Sequence, residues 1–143
     1  MNTIINEIKN SLKELSLHVI EIDGKEILSK IIHNFCKNEK YDYPLWDNYK
    51  DTESIYNIEG WKLITDFHPS QEKILFIEPD KQNVFFQFQN SLDVVSAIGN
   101  CSGFTFYITD KEANYVICFN DHDYLIGTGL AKKWVISMQS KTW

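Results

Sequence analysis

"KILFIEPDKQNVFFQFQ", residues 73–89, is the stretch whose reading decides the fold. Two apolar runs, 73–78 and 84–89, are rich in β-branched and aromatic residues and flank a polar Pro-Asp-Lys-Gln-Asn insert. Runs of that length and composition are strands, and the insert is a turn. The spacing is that of a hairpin, so an antiparallel meander is the economical topology.

Downstream, Asn90 caps a helix with Asp93 at its third position, Leu92, Val95 and Ile98 on one side and Gly99 at its C-terminal cap. Phe104, Phe106 and Ile108 alternate and predict a strand over 104–109. A second strand follows over 115–119, then the tight turn "NDHD" at 120–123 and a short strand "YLIG". Leu130, Ala131, Trp134, Val135 and Met138 form the stripe of a last helix.

Upstream, "WKLITDF" at 61–67 reads as a strand, and "TESIYNIEGW" as a helical turn ending at Gly60. Ile4, Ile5, Ile8, Leu12 and Leu15 place an amphipathic helix over 3–16, followed by a strand in "LHVIEI". Asp23 with Glu26 three residues on is a capping-box pattern that opens a second helix running to Lys37. The expected class is α+β, as one domain over 1–143: two N-terminal helices, an antiparallel sheet of five or six strands with an inserted helix, and a C-terminal helix.

The charge pattern narrows the function. All fourteen basic residues are lysine, and the net charge is −6. A polyanion would be repelled by such a chain, and the arginine fork used on phosphates is missing, so nucleic acid is not expected as a partner. No apolar run approaches the roughly 20 residues that span a bilayer. The N-terminus lacks the unbroken apolar core of a signal peptide, so no membrane partner and a cytoplasmic location are expected. Residues 1–40 carry six lysines and six acids, so the whole net charge lies in 41–143. It is densest in "YDYPLWDNYKDTESIYNIEGW", 41–61. Asp42, Asp47, Asp51, Glu53 and Glu59 there face only Lys50, among Tyr41, Tyr43, Trp46, Tyr49, Tyr56 and Trp61. Large rigid aromatics supply contact area at low entropic cost, and carboxylates among them steer a basic partner. The same tryptophans could equally anchor a core, with the acids on a solvated face.

Asp121-His122-Asp123 is the strongest candidate for chemistry. On an extended strand His122 and the two aspartates would point apart; in a turn they converge. A turn is the expectation, its polar side chains satisfied by backbone groups, with a partner contact or a metal or catalytic site as the alternatives. Gly127-Thr-Gly129 lacks the third glycine of a dinucleotide fingerprint and reads as a tight strand-to-helix connection. Cys36, Cys101 and Cys118 contain no Cys-x-x-Cys and read as small buried hydrophobes. No cofactor is implied.

Phe106, Tyr107, Ile117, Cys118, Asn120, His122, Asp123, Gly127, Gly129 and Trp134 together resemble the C-terminal pattern of a domain-of-unknown-function family of small bacterial proteins. Tyr115 stands where that family tends to have Trp, and Asp121 where it tends to have His. The resemblance implies little chemistry; by analogy, small proteins of this sort resemble immunity proteins encoded beside bacterial toxins. The leading expectation is therefore an acidic protein that neutralises a basic partner, most plausibly a toxin nuclease, through Asp42, Tyr43, Trp46, Asp47, Tyr49, Asp51, Glu53, Asp121, His122 and Asp123. The alternative is a small enzyme or metal-binding protein centred on His122 and Asp123.

Overall fold

The run–turn–run at 73–89 does pair on itself: Lys73 lies opposite Phe88 and Leu75 opposite Phe86, antiparallel. The computed structural model describes residues 3–79 and 83–140; residues 80–82 of the expected turn lie outside the described residues. Seven strands form one sheet: β1 (Ile20–Asp23), β2 (Glu53–Tyr56), β3 (Lys73–Phe76), β4 (Val84–Phe88), β5 (Phe106–Thr109), β6 (Tyr115–Phe119) and β7 (Tyr124–Gly129). Four α-helices accompany them: α1 (Thr3–Glu14), α2 (Lys25–Phe35), α3 (Ser91–Gly99) and α4 (Ala131–Gln139). The class is α+β, with a strand count above the expected five or six.

The strand order is β1-β4-β3-β5-β6-β7-β2, and every pairing is antiparallel. The meander holds for β3–β4 and for β5–β6–β7. It breaks where α3 carries the chain back so that β5 pairs with β3. The two N-terminal strands then close opposite edges, β1 on β4 and β2 on β7.

Both faces of the sheet are covered. Leu75, Phe86, Phe88, Ile108, Ile117 and Leu125 point to one side, where Ile8 of α1, Val94 and Ala97 of α3 and Val135 and Met138 of α4 meet them. Ile74, Phe76, Phe85, Tyr107, Val116 and Cys118 point to the other, against Ile27 and Ile31 of α2 and the irregular segment that carries Cys36, Leu45 and Tyr49. Successive residues of a strand point to opposite faces, so a sheet covered twice makes its central strands apolar at nearly every position. That is why β3, β5 and β6 are buried throughout. Lys73 tolerates this because its stem lies in the core while Nζ donates to the carbonyls of His68 (2.7 Å) and Gln71 (2.8 Å).

Five local expectations need correction. Residues 60–66 form a 3-10 helix, not a strand; Gly60, Ile64 and Phe67 are the buried positions, a helical spacing that a seven-residue apolar run conceals. Residues 53–56 form the edge strand β2, not a helical turn, with Ile55 alone turned inward. The capping box at Asp23 does not form: α2 starts at Lys25 after Gly24, and the Asp23 carboxylate accepts only the Lys25 N–H, at 3.0 Å. In α3 the buried face is Ser91, Val94, Ala97 and Ile98, while Leu92 is exposed. Asn90 caps that helix as expected, its side chain accepting from the Asp93 N–H at 2.9 Å. In the last helix Ala131, Val135 and Met138 are buried, but Leu130 is exposed.

Candidate functional site

The chain enters the site from α2 along residues 37–44, whose Tyr43–Pro44 peptide is cis, and makes a 3-10 turn over Leu45–Asn48. Leu45 is buried and fixes that turn against the sheet. What orients it is Glu78, two residues past the end of β3. One carboxylate oxygen, Oε1, accepts from the Tyr41 hydroxyl (2.7 Å) and the Leu45 N–H (2.8 Å). The other, Oε2, accepts from the Tyr107 hydroxyl at 2.7 Å. Tyr107 oxygen in turn accepts the Trp46 N–H at 3.2 Å. A carboxylate holding three donors is a fixed point, because each bond restricts a different torsion. Burial, reinforced by the negative charge of Glu78, pushes the hydroxyl pKa values of Tyr41 and Tyr107 well up.

"NDHD" closes the β6–β7 hairpin as a tight turn. Asn120 is 3 % exposed, and its side-chain oxygen accepts the N–H groups of both His122 and Tyr124, each at 3.0 Å. The Asn120 N–H reaches the Tyr124 carbonyl at 3.1 Å, and the Asp123 N–H returns to the Asn120 carbonyl at 3.1 Å. Asp123 sits in the left-handed region, φ 65°, as the third residue of such a loop requires. The Asp121 N–H donates to Thr105 Oγ1 at 3.0 Å, which ties the turn to the start of β5. Asn120 therefore organises the turn, and Asp121 and His122 are left pointing outward. Each keeps about two-thirds of its side chain exposed, with His122 Nε2 3.7 Å from Asp121 Oδ1.

The two regions meet. The Trp46 and His122 rings stand edge to face, centroids 6.2 Å apart and planes at 80°. A groove of about 470 Å³ runs between them, lined by Ile4, Tyr43, Pro44, Trp46, Ile77, Glu78, Thr105, Asp121 and His122. Among the described residues its walls carry two carboxylates and no lysine. Tyr43 is 77 % exposed, and Asp42 and Asp47 are exposed on the same short turn. A second cavity of about 380 Å³ lies across Asp121, walled by Trp61, Phe104 and Phe119 and reached by Asp123.

The rest of the acidic set lies elsewhere. Tyr49 is 6 % exposed, a core residue, and burial raises its pKa well above the ordinary range. Asp51 is exposed but pairs with Lys132 at 2.7 Å, while its carbonyl accepts the Thr128 hydroxyl at 2.6 Å. Glu53 accepts from the Gln139 amide at 3.1 Å. Of the residues around the groove, sequence reasoning missed Glu78, Tyr107 and Thr105. Glu78 had a signal, a carboxylate ending an apolar strand just before Pro79.

The chemistry open to the site is limited. Among the described residues no group of three or more His, Cys, Asp or Glu side chains gathers as a metal cage would need. Cys118 is wholly buried in the layer below, whereas His122 is exposed, so they do not form a nucleophile–base pair. Gly127 and Gly129 are packing residues: a Cβ on Gly127 would meet Val135 Cγ2 at 2.7 Å, and one on Gly129 would meet the Asn114 carbonyl at 2.5 Å. Among the described residues no helix is long and apolar enough to cross a membrane.

Fold and site together describe an α+β protein with an antiparallel sheet covered on both faces and an aromatic, carboxylate-lined groove at one end of it. The chain belongs to a family of unknown function, DUF6756, whose model matches residues 3–139. That agrees with the expectation of an uncharacterised domain family. No curated protein and no solved structure matches the chain.

Proposed function

We propose that this is a cytoplasmic binding protein that neutralises a basic partner, and that the partner is a bacterial toxin nuclease, which makes the chain an immunity protein. One observation carries the reading: exposed Tyr43, half-buried Trp46 and the Asp121–His122 turn, far apart in sequence, line one groove with no lysine among its described lining residues, and Asp42 and Asp47, both exposed, flank Tyr43 and Trp46 in sequence. A nuclease cleft that grips a phosphate backbone is cationic. A surface that pairs carboxylates with aromatic planes offers it the two features of a nucleic acid strand, negative charge and flat rings. Complementary charge also speeds encounter, which an inhibitor of a lethal enzyme needs.

The test is expression of the product of the reading frame immediately upstream, with and without this chain. The expected results are growth rescue, a stable complex on size-exclusion chromatography, and an association rate that falls steeply with salt. A nontoxic neighbour that forms no complex contradicts the proposal.

A further inference from the structure

We propose that the groove between Tyr43, Trp46 and the β6–β7 turn is a receptor for one arginine side chain of the partner; this rests on the binding reading above and names what the site recognises. The groove offers two carboxylates on different elements, Glu78 after β3 and Asp121 in the turn, beside two aromatic rings. Glu78 already holds three donors, two on Oε1 and one on Oε2. A carboxylate has about four acceptor positions, so one remains, on Oε2. Because the three bonds hold the carboxylate still, a fourth donor finds it already oriented and little rotamer freedom is lost on binding. Asp121 is fixed through its backbone to Thr105, yet keeps its carboxylate exposed.

The site suits a cation, since the described residues of its walls bring carboxylates and π faces together. An arginine in the site is external, because the chain itself contains no arginine. Arginine suits the arrangement better than lysine. Its planar guanidinium can stack on Trp46 or Tyr43 while its five N–H donors reach acceptors in different directions. An ammonium is a point charge, strongly hydrated, and gains less from a flat wall.

The experiment is a titration of the whole chain with Nα-acetyl-arginine methylamide, followed by NMR of the Trp46 indole N–H and the His122 ring. The lysine and citrulline analogues serve as controls. A saturable response to the arginine analogue is expected, roughly fivefold weaker for lysine, and absent for the neutral citrulline isostere. Tyr43→Ala and Asp121→Asn change exposed side chains, and each is expected to weaken the arginine response with the fold unaltered. No saturable response to arginine, an equal response to citrulline, or indifference to both substitutions overturns the receptor. The two readings fail separately. A partner complex that forms but ignores Tyr43→Ala and Asp121→Asn overturns the receptor and leaves the binding reading standing. A saturable, substitution-sensitive arginine response with a neighbouring protein that does not bind supports the receptor and overturns the binding reading.

Discussion

Residues 42–47 and 51–56 are alike in composition, each carrying two acids and at least one tyrosine or tryptophan, yet the fold treats them differently. The first segment keeps Asp42, Tyr43 and Asp47 exposed and points Trp46 at the β6–β7 turn. The second becomes strand β2 at the sheet edge, its backbone paired to β7 and its acids satisfied by Lys132 and Gln139. An acid-and-aromatic composition is thus compatible with an exposed face or with a fastened edge. What separates them is where the backbone hydrogen bonds go. The first segment hangs from side chains, chiefly Glu78, and the second from a ladder.

That contrast can be broken in graded ways. The largest effect is expected from alkaline pH, because the first segment lies over buried groups that resist ionisation. Burial holds Cys36 up to about 11 and Cys118 well above the ordinary range, and raises Tyr41, Tyr49 and Tyr107 as well. A group raised in the folded state keeps its proton there while the unfolded chain releases it. Its stabilising contribution is full below the ordinary value and is lost as pH rises. Each such group lowers stability by about 1.4 kcal/mol per pH unit once the unfolded form has titrated. Lys73, which burial pushes down to about 8, acts in the opposite sense and offsets one of them. Guanidinium midpoints should therefore decline above about pH 9 and more steeply above about pH 10, where tyrosines join. A midpoint flat to pH 10.5 would mean that these groups are not held as described.

Next in size is Glu78→Ala. It strips the acceptor from Tyr41, Leu45 and buried Tyr107, and the expected cost is about 3 kcal/mol. Trp46 fluorescence should shift to the red as its turn loosens, whereas Asp51→Ala should leave it unchanged. Asn120→Ala removes the acceptor of two backbone N–H groups and should cost about 1–2 kcal/mol by thermal or chemical unfolding. Asp123→Gly should stay within about 0.5 kcal/mol of the parent, since the backbone there is left-handed and glycine adopts it freely. An equally small effect is expected from Asp51→Ala, below about 0.5 kcal/mol, because its pair with Lys132 is exposed.

The order of sizes also shows what was legible in the sequence. Strands β3 to β7 and the four helices were readable because their apolar residues recur with clear periods or lie between turn residues. Asn90 and the turn at 120–123 were readable because Asn and Asp carry their own acceptors to the backbone. The 3-10 helix at 60–66 was not, since Ile64 and Phe67 sit in a run too short to show its period. Nor was β2, whose partner β7 lies about seventy residues on, at a register nothing local encodes. The groove was half legible: Tyr43, Trp46, Asp121 and His122 stand out by type, but their meeting depends on Tyr107, which looks like an ordinary strand residue, and on Glu78, whose only signal is a carboxylate closing an apolar run before Pro79.

The central claim is that the face built from 42–47 and the β6–β7 turn, not the acidity of the chain as a whole, meets a basic partner. The most direct measurement is the association rate with the proposed basic partner for two double charge reversals, Asp42→Lys with Asp47→Lys, and Asp51→Lys with Glu53→Lys. Both change the net charge equally. The account predicts that the first slows association at least roughly tenfold and flattens its salt dependence, while the second has only the modest effect of a general field. Equal slowing by the two, or a larger effect from the second, would contradict it.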